Sequence, residues 1–458
     1  MTSRRTISSR RALGVIVAAI ALVVVALVTH VAPAVAADGD RHLIIVSVDA
    51  LRPEFYLDPS YPAPTLRALA ASGSQARAAE PVFPSVTYPD HATIVTGVRP
   101  ARHGILFNVL FKPTAERGRW YEEAADLRAT PIWEWARTAG LTTAAVSWPS
   151  TFGARIDWLL PERDYYLRPD PLPQLQQAAT PGFFDKTRVA PTAEIFKDIL
   201  KWDTFLTETT AALIREVKPR LLLLHLVQLD HFQHRGGRDG SEVKPALERI
   251  DAHIATIRRA IDDAGIAART TIIVTGDHGF LDVEHLVFPN EVLSRAGLRG
   301  CPKAGDAWRA TGHVAGGSMA IFVNPAVAKT AEQSAEIAKA AEAALAAEAK
   351  DRYTIVDRAT LDRLGAMPGV AFALDAKRGY AFGGTCSQRL TRKSSGGTHG
   401  YLPSHPAMAT GFIASGDGVR AGVTLDRIRL IDVAPTAGRL LGLSVPDVEG
   451  RVLTEILK

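Results

Sequence analysis

Cysteine is scarce in this sequence, which has only two in 458 residues, Cys301 and Cys386. In an oxidising compartment the two could form one disulfide, and a pair of buried free thiols fits the sequence as well. A metal site in this chain needs neither cysteine as a ligand, because aspartate, histidine and threonine supply the candidates.

The sequence also lacks a dense stripe of lysine and arginine, although the formal net charge is +5. The basic run at residues 389–393 is interpreted as a solvated loop, so we predict no nucleic-acid-binding module. A diffuse positive charge favours the approach of anionic small molecules. Hydrophobic residues make up 47% of the chain, which excludes a disordered protein and allows a large core. Nothing in the sequence implies a stable protein partner.

The N-terminus has the three parts of a secretory signal peptide in the usual order. Residues 12–28 are apolar and uncharged, and residues 34–36 read Ala-Val-Ala, a small-x-small cleavage site. The positive region before them contains Arg4, Arg5, Arg10 and Arg11. We therefore predict a signal peptide over residues 1–36 and an exported mature chain, in the periplasm, outside the cell or at its surface. An uncleaved membrane anchor is the alternative, and the route of export (Sec or twin-arginine) is left open.

The rest of the chain alternates short apolar runs with amphipathic stretches, which predicts an α/β fold with a mainly parallel central sheet flanked by helices. The predicted strands are His42–Val48, 142–147, 221–227, 270–274 and 407–414. The predicted helices are Pro64–Ser72 closed by Gly73, a solvent-facing Ala331–Ala349, and 434–441. A smaller α+β subdomain is predicted as an insertion at about residues 285–395.

Acidic residues follow three of these strands, at Asp49, Asp230 and Asp277. Ligand sites in open α/β sheets lie at the carboxyl ends of the strands, where three carboxylates would repel one another unless cations neutralised them. His234 and His278 follow two of the aspartates closely, and a further candidate is His399. Mixed aspartate and histidine ligands suit zinc.

The segment from Phe83 to His91 supplies a candidate nucleophile, Thr87. We predict Thr87 as the N-cap of a helix that runs to about Thr96, with Pro89 in its first turn. The amides at a helix N-terminus can hold a phosphoryl oxygen, and a metal ion makes a threonine hydroxyl a competent nucleophile. The alternative is that Thr87 only caps its helix.

Several motifs in this order resemble the nucleotide pyrophosphatase/phosphodiesterase family of the alkaline-phosphatase superfamily. The segments that carry the resemblance are Ile44 to Asp49, Phe83 to His91, His103-Gly104-Ile105 with Asn108, Trp148-Pro149, Asp230-x-x-x-His234, Thr275 to Gly279, and Thr398 to Tyr401. The resemblance runs from about residue 42 to the end. It implies an alkaline-phosphatase-like catalytic domain over residues 37–458 and a phosphodiesterase that forms a covalent intermediate on its threonine.

The resemblance also implies two zinc ions and a role for each matching residue. One zinc would be bound by Asp49, Thr87, Asp277 and His278, and the other by Asp230, His234 and His399. Asn108 matches an asparagine that contacts a phosphoryl oxygen, and Tyr88 stands where the family has an aromatic residue beside the substrate. Leu229 departs from the family, which often has proline there, and this departure leaves the substrate preference open.

Two other functions stay open at this point. A phosphonate hydrolase on the same fold would share the metal motifs, but such enzymes tend to follow the nucleophile with Asn-Pro-Asn rather than Tyr88-Pro89-Asp90. An inactive secreted binding protein would be expected to have lost a ligand, and all seven are present. The predicted substrate is a small phosphodiester or nucleotide; nucleotides, dinucleotide polyphosphates, nucleotide sugars and choline-type esters all fit.

Overall fold

The strand β1 (His42–Val48) is buried along its whole length. Ile44 and Val46 enter one hydrophobic cluster, whereas Leu43 and Ile45 enter another. A strand that buries both faces is typical of a parallel sheet covered by helices on each side. The computed structural model describes residues 40–112, 118–300, 308–387 and 389–458. The predicted signal peptide, residues 1–36, lies outside the described residues.

The remaining elements alternate along the described chain. The strands are β2 (Ser74–Glu80), β3 (Thr143–Val146), β4 (Trp158–Leu160), β5 (Leu221–Leu226), β6 (Thr270–Thr275), β7 (Leu281–Val287), β8 (Ala310–Ala315), β9 (Ser318–Val323), β10 (Tyr353–Val356), β11 (Phe372–Ala376), β12 (Gly379–Phe382), β13 (Thr391–Lys393), β14 (Gly397–Thr398), β15 (Thr410–Gly416), β16 (Val423–Leu425) and β17 (Ile428–Arg429). The α-helices are α1 (Glu54–Leu57), α2 (Pro64–Ser72), α3 (Thr87–Thr96), α4 (Pro100–His103), α5 (Ile132–Thr138), α6 (Pro171–Ala178), α7 (Phe183–Thr187), α8 (Ile199–Glu216), α9 (Gln228–Gly236), α10 (Val243–Asp263), α11 (Pro289–Arg295), α12 (Ala331–Ala349), α13 (Arg358–Arg363) and α14 (Val433–Leu440).

The central sheet has nine strands in the order β16-β2-β15-β6-β1-β5-β3-β4, with β17 also paired to β2. The five strands from β6 to β4 are parallel, and β15 runs antiparallel to both of its neighbours. This arrangement confirms the predicted α/β class with a mainly parallel sheet. Because β6, β1 and β5 are adjacent, their carboxyl ends meet at one edge.

Two smaller sheets lie within the region predicted as an insertion and at its borders. The strands β10-β11-β9-β8 form an antiparallel sheet. A second sheet is built on β7, which runs parallel to β12 and antiparallel to β13 and β14. Residues 37–458 group as one compact unit. The bounds 285–395 of the inserted subdomain therefore stay a prediction.

The predicted elements match the observed ones to within a few residues, with two corrections. The strands predicted at 221–227 and 407–414 are observed as Leu221–Leu226 and Thr410–Gly416. Asp230 does not end its strand as predicted but lies in the first turn of helix α9, because the chain turns into a helix directly after Val227. In α3 the N-cap is Val86, with extended dihedral angles, and Thr87 is the first helical residue rather than the cap.

Two further expectations concern the cysteines and the membrane. Cys386 is disulfide-bonded, and the only other cysteine of the sequence, Cys301, lies outside the described residues. Among the described residues, no helix combines the length and apolar character needed to span a membrane.

One buried carboxylate joins two helices of the fold and gives a test of it. Helix α2 begins after Ala63, which has no capping side chain. Asp251 of α10 accepts hydrogen bonds from the amides of Thr65 and Leu66, at 3.0 and 2.9 Å. The carboxylate thus satisfies two amides that a helix start leaves unpaired.

Replacing Asp251 with alanine should lower the free energy of unfolding by about 1–3 kcal/mol, because two buried amides lose their acceptor. The exposed Glu248 on the same helix gives the control, and Glu248→Ala should change stability by less than about 0.5 kcal/mol. Urea unfolding followed by circular dichroism measures both. Equal midpoints for the two variants would contradict the capping role.

Candidate functional site

Three aspartates lie together at the carboxyl edge of the central sheet. Asp49 follows β1, Asp277 comes two residues after β6, and Asp230 lies one turn into the helix that follows β5. Asp49 and Asp277 are buried. The order of the three adjacent strands therefore brings together carboxylates that are up to 228 positions apart in the sequence (277 − 49).

His278 lies between two of these carboxylates. Its Nε2 is 3.4 Å from Asp49 Oδ1 and 3.3 Å from Asp277 Oδ2. The other oxygen of Asp277 accepts hydrogen bonds from the amides of Ala50 and His278, at 3.0 and 2.9 Å. One oxygen of Asp277 is thus fixed by the backbone, and the other faces the cluster.

The side chains just described form a first group of possible ligands. The second group consists of Asp230, His234 and His399. Asp230 Oδ1 lies 3.4 Å from His234 Nε2 and 3.7 Å from His399 Nε2. The imidazole of His399 stacks on that of His278, with ring centroids 3.6 Å apart and planes at 7°. The ligand atoms of Asp230, His234 and His399 all lie within 4.8 Å of one another, and so do those of Asp49, Asp230 and His278. The two groups therefore share Asp230.

The three histidines are oriented in the same way by backbone carbonyl groups. The Nδ1 atoms of His234, His278 and His399 contact the carbonyl oxygens of Gly397, Gly279 and Ser85 at 2.9, 3.2 and 3.0 Å, respectively. A carbonyl oxygen only accepts, so each Nδ1 carries the proton and each Nε2 is left with a free lone pair. This is the orientation that metal-binding histidines usually have.

The buried atoms that face the cluster have no hydrogen-bond partner among the described residues. These atoms are Asp49 Oδ1, Asp230 Oδ1, Asp277 Oδ2 and His278 Nε2. Burial, followed by the charges of Asp277 and Asp230, raises the pKa of Asp49 well above its usual value. Burial also raises the pKa of Asp230 to about 6. Divalent cations would neutralise the repulsion between the carboxylates and supply the partners that these atoms lack. The residues therefore fit a metal centre.

Thr87 begins helix α3 beside this cluster. The helix is buried over all ten of its residues, and its first turn leaves backbone amides without intrahelical partners. His91 Nδ1 donates to Thr87 O at 2.8 Å and lies 3.7 Å from Asp277 Oδ2. His91, one turn into the helix, therefore links Thr87 to the aspartate edge.

Asn108 and Tyr88 are joined to each other at this helix start. The amide of Tyr88 donates to Asn108 Oδ1 at 2.9 Å, which leaves the NH₂ group of Asn108 to donate elsewhere. The Tyr88 ring is buried and packs against Trp120 with centroids 5.3 Å apart. Burial, followed by the charge of Glu162, raises the pKa of Tyr88. Contact of Asn108 or Tyr88 with a substrate stays a prediction.

Two further residues lie at this site, His225 and Glu162, and neither was predicted from the sequence. His225 lies in β5 and is 1% exposed, with Nδ1 2.6 Å from Glu162 Oε2 and Nε2 3.3 Å from Asp49 Oδ2. Burial lowers its pKa, but the charges of Glu162 and Asp49 outweigh this and raise it well above the usual value. A single polar side chain in the run Leu-Leu-Leu-Leu-His-Leu was the signal that could have identified His225.

Comparisons with known proteins agree with the fold. A family profile described as type I phosphodiesterase / nucleotide pyrophosphatase matches residues 43–402. Human ectonucleotide pyrophosphatase/phosphodiesterase family member 1 is 24% identical over 52% of this chain and 23% of its own length. Human family member 7 is 25% identical over 57% of this chain and 54% of its own length. The match thus spans about a quarter and about half of the length of these two relatives.

Solved structures show the same fold. Human ectonucleotide pyrophosphatase/phosphodiesterase 5 superposes with a TM-score of 0.67 at 19% identity, over 92% of this chain and 100% of the other. An inactive threonine-to-alanine variant of the murine protein, in complex with AMP, gives a TM-score of 0.65 at 19% identity over the same shares. The alkaline-phosphatase-like architecture implied by the sequence motifs is confirmed.

Proposed function

Because the chain belongs to the type I phosphodiesterase/nucleotide pyrophosphatase family, we propose that it hydrolyses small phosphodiesters or phosphoanhydrides with two zinc ions and a covalent intermediate on Thr87. The observation that carries the proposal is the position of Thr87 at a buried helix start, beside two Asp/His groups whose facing atoms lack partners. A threonine that only capped its helix would not need such a neighbourhood.

The proposed reaction has two displacements at phosphorus. Thr87 Oγ1 attacks first: the Oγ1–P bond forms, the bond to the leaving group breaks, and the threonine proton passes to solvent while the leaving oxygen takes up a proton. A water oxygen then attacks the same phosphorus, the Oγ1–P bond breaks, and Thr87 regains a proton. The Asn108 NH₂ group donates to a non-bridging oxygen that gains charge in the transition state, and the Tyr88–Asn108 hydrogen bond holds it in place.

Zinc is the metal we propose, because the donor set mixes carboxylate oxygens with imidazole nitrogens. Asp49, Thr87, Asp277 and His278 would hold one ion. Asp230, His234 and His399 would hold the other. Bound zinc would lower the pKa of a coordinated hydroxyl or water and stabilise charge on the phosphoryl group.

Zinc content is the first measurement. Purified protein should contain about two zinc ions per chain by elemental analysis, the number that two such ligand groups would serve. His234→Ala should lower the content, because it removes a ligand of the second group. His231 lies one turn earlier on α9, packs against Phe232 and belongs to neither group, so His231→Ala is the matched control. One ion or none in an active wild-type sample would contradict the proposal.

The substrate class is tested with three compounds and two threonine variants. Wild-type protein should hydrolyse p-nitrophenyl-TMP, a diester, faster than p-nitrophenyl phosphate or phosphonoacetate.

Thr87→Ala should lose several orders of magnitude in kcat with its zinc retained, since the attacking oxygen is gone. Thr87→Ser should keep a measurable rate, because it retains a hydroxyl at the same position. Asn108→Ala should lower kcat on the order of a hundredfold to a thousandfold.

Each alternative function gives a different outcome. Preferred cleavage of phosphonoacetate would favour the phosphonate hydrolase, and zinc binding without turnover would favour an inactive binding protein. Near-normal turnover of the diester by Thr87→Ala would favour direct attack by water. Inversion of configuration at phosphorus would also contradict the covalent intermediate, because two displacements give net retention.

The relatives named as ectonucleotide enzymes support export of this chain as well. If residues 1–36 are a cleaved signal peptide, the mature chain should start near Ala37. N-terminal sequencing of the exported protein measures this directly. An intact Met1 on a membrane-bound form would favour the uncleaved anchor.

A further inference from the structure

A buried chain of side chains leads away from the metal cluster on the side opposite His278. It runs from Asp49 through His225 to Glu162. Asp49 Oδ1 faces His278, whereas Asp49 Oδ2 lies 3.3 Å from His225 Nε2. His225 Nδ1 is in turn 2.6 Å from Glu162 Oε2. The two oxygens of Asp49 therefore have different neighbours.

Asp49 and Glu162 face the two ring nitrogens of His225, which lies in an otherwise apolar strand. Its buried Nε2 makes no hydrogen bond of good geometry in the described part of the chain, and the group that it faces is Asp49 Oδ2, an ion-pair contact at 3.3 Å. The ring packs against that of His91, with centroids 4.2 Å apart. A buried polar ring costs free energy unless its polar atoms are paired, and here Glu162 pairs with Nδ1 while the charge of Asp49 lies beside Nε2.

The segment that brings Glu162 to His225 is firmly fastened. Glu122, itself 5% exposed, accepts hydrogen bonds from Arg163 Nε at 3.0 Å, from Arg168 Nη2 at 2.7 Å and from the amide of Asp164 at 2.8 Å. The guanidinium group of Arg163 also stacks on Phe152 at 3.8 Å. Glu162 is thus held in place from its own side of the contact, rather than by His225 alone.

We propose that His225 and Glu162 are positioning residues, which turn Asp49 so that Oδ1 and not Oδ2 faces the metals. The inference rests on the proposed zinc-dependent function, since it assigns these residues to the support of a zinc ligand. Outer residues that orient a ligand commonly change metal affinity by about 10- to 100-fold when they are replaced. Glu162 also lies next to the buried Tyr88 side chain, so the same chain reaches the first turn of the nucleophile helix.

The test measures the binding of zinc alone by competition with a chromogenic chelator. His225→Leu, which has no donor, should weaken zinc binding by about 10- to 100-fold and speed zinc release. His225→Gln places a donor near the position of Nε2 and should recover part of the affinity. Glu162→Gln should weaken binding less, and the double variant with His225→Leu should be no weaker than His225→Leu alone, because the two residues act in series.

His42 gives the matched control. It is a buried histidine at the first residue of β1, the strand next to β5, and so it lies at the end of the strand away from Asp49. Its Nδ1 contacts Pro219 O at 2.9 Å, and His42→Leu should leave zinc affinity unchanged. If His225→Leu does not fold, Glu162→Gln and His225→Gln test the proposal by themselves. Wild-type affinity in these variants would overturn it. A wild-type protein that binds zinc but hydrolyses no diester would contradict the proposed function and leave the zinc comparison valid.

Discussion

Asp49, Asp230 and Asp277 repel one another at the edge of the central sheet, and most of the surrounding structure is arranged around this repulsion. One oxygen of Asp277 accepts hydrogen bonds from two backbone amides, which stabilise its negative charge. Asp230 lies in the first turn of a helix, where the helix dipole favours negative charge. These contacts do not satisfy the oxygens that point inwards, so the cluster is complete only with cations.

The histidines of the cluster connect distant parts of the chain to this edge. His399 reaches it from a loop whose geometry depends on glycine: Gly400 has φ +92°, and a Cβ there would lie 2.0 Å from Ala315 O. The same histidine donates to Ser85 O, just before the nucleophile helix. The hydrogen bond from His399 to Ser85 therefore connects the Asp/His cluster to the segment just before Thr87. A substitution that moves the loop of His399 would also shift the position of Thr87.

The sequence was sufficient for the elements with a strong local pattern, and it named the aspartates and histidines that the structure brings together at the sheet edge. The buried run His42–Val48 and the helices Pro64–Ser72 and Ala331–Ala349 have the predicted bounds, because their periodicity and breakers are local. The antiparallel direction of β15 and the order of the strands depend on pairing over long distances. The start of α3 was displaced by one residue, since Val86 is extended and no side chain marks the cap.

His225 and Glu162 are the part of the site that could not be predicted from the sequence. His225 and Glu162 are 63 positions apart, and their contact depends on the parallel order β5-β3-β4, which brings the carboxyl ends of β5 and β4 to the same edge. Neither residue belongs to a motif; the single polar position in an apolar strand marks His225, but nothing local marks Glu162 as its partner. Yet the pair links Asp49, whose other oxygen faces His278, to Tyr88, which packs against Trp120 and lies near Glu162. Under the proposed function, Glu162 would support both Asp49, through His225, and Tyr88, so metal geometry and substrate fit would be coupled in this protein.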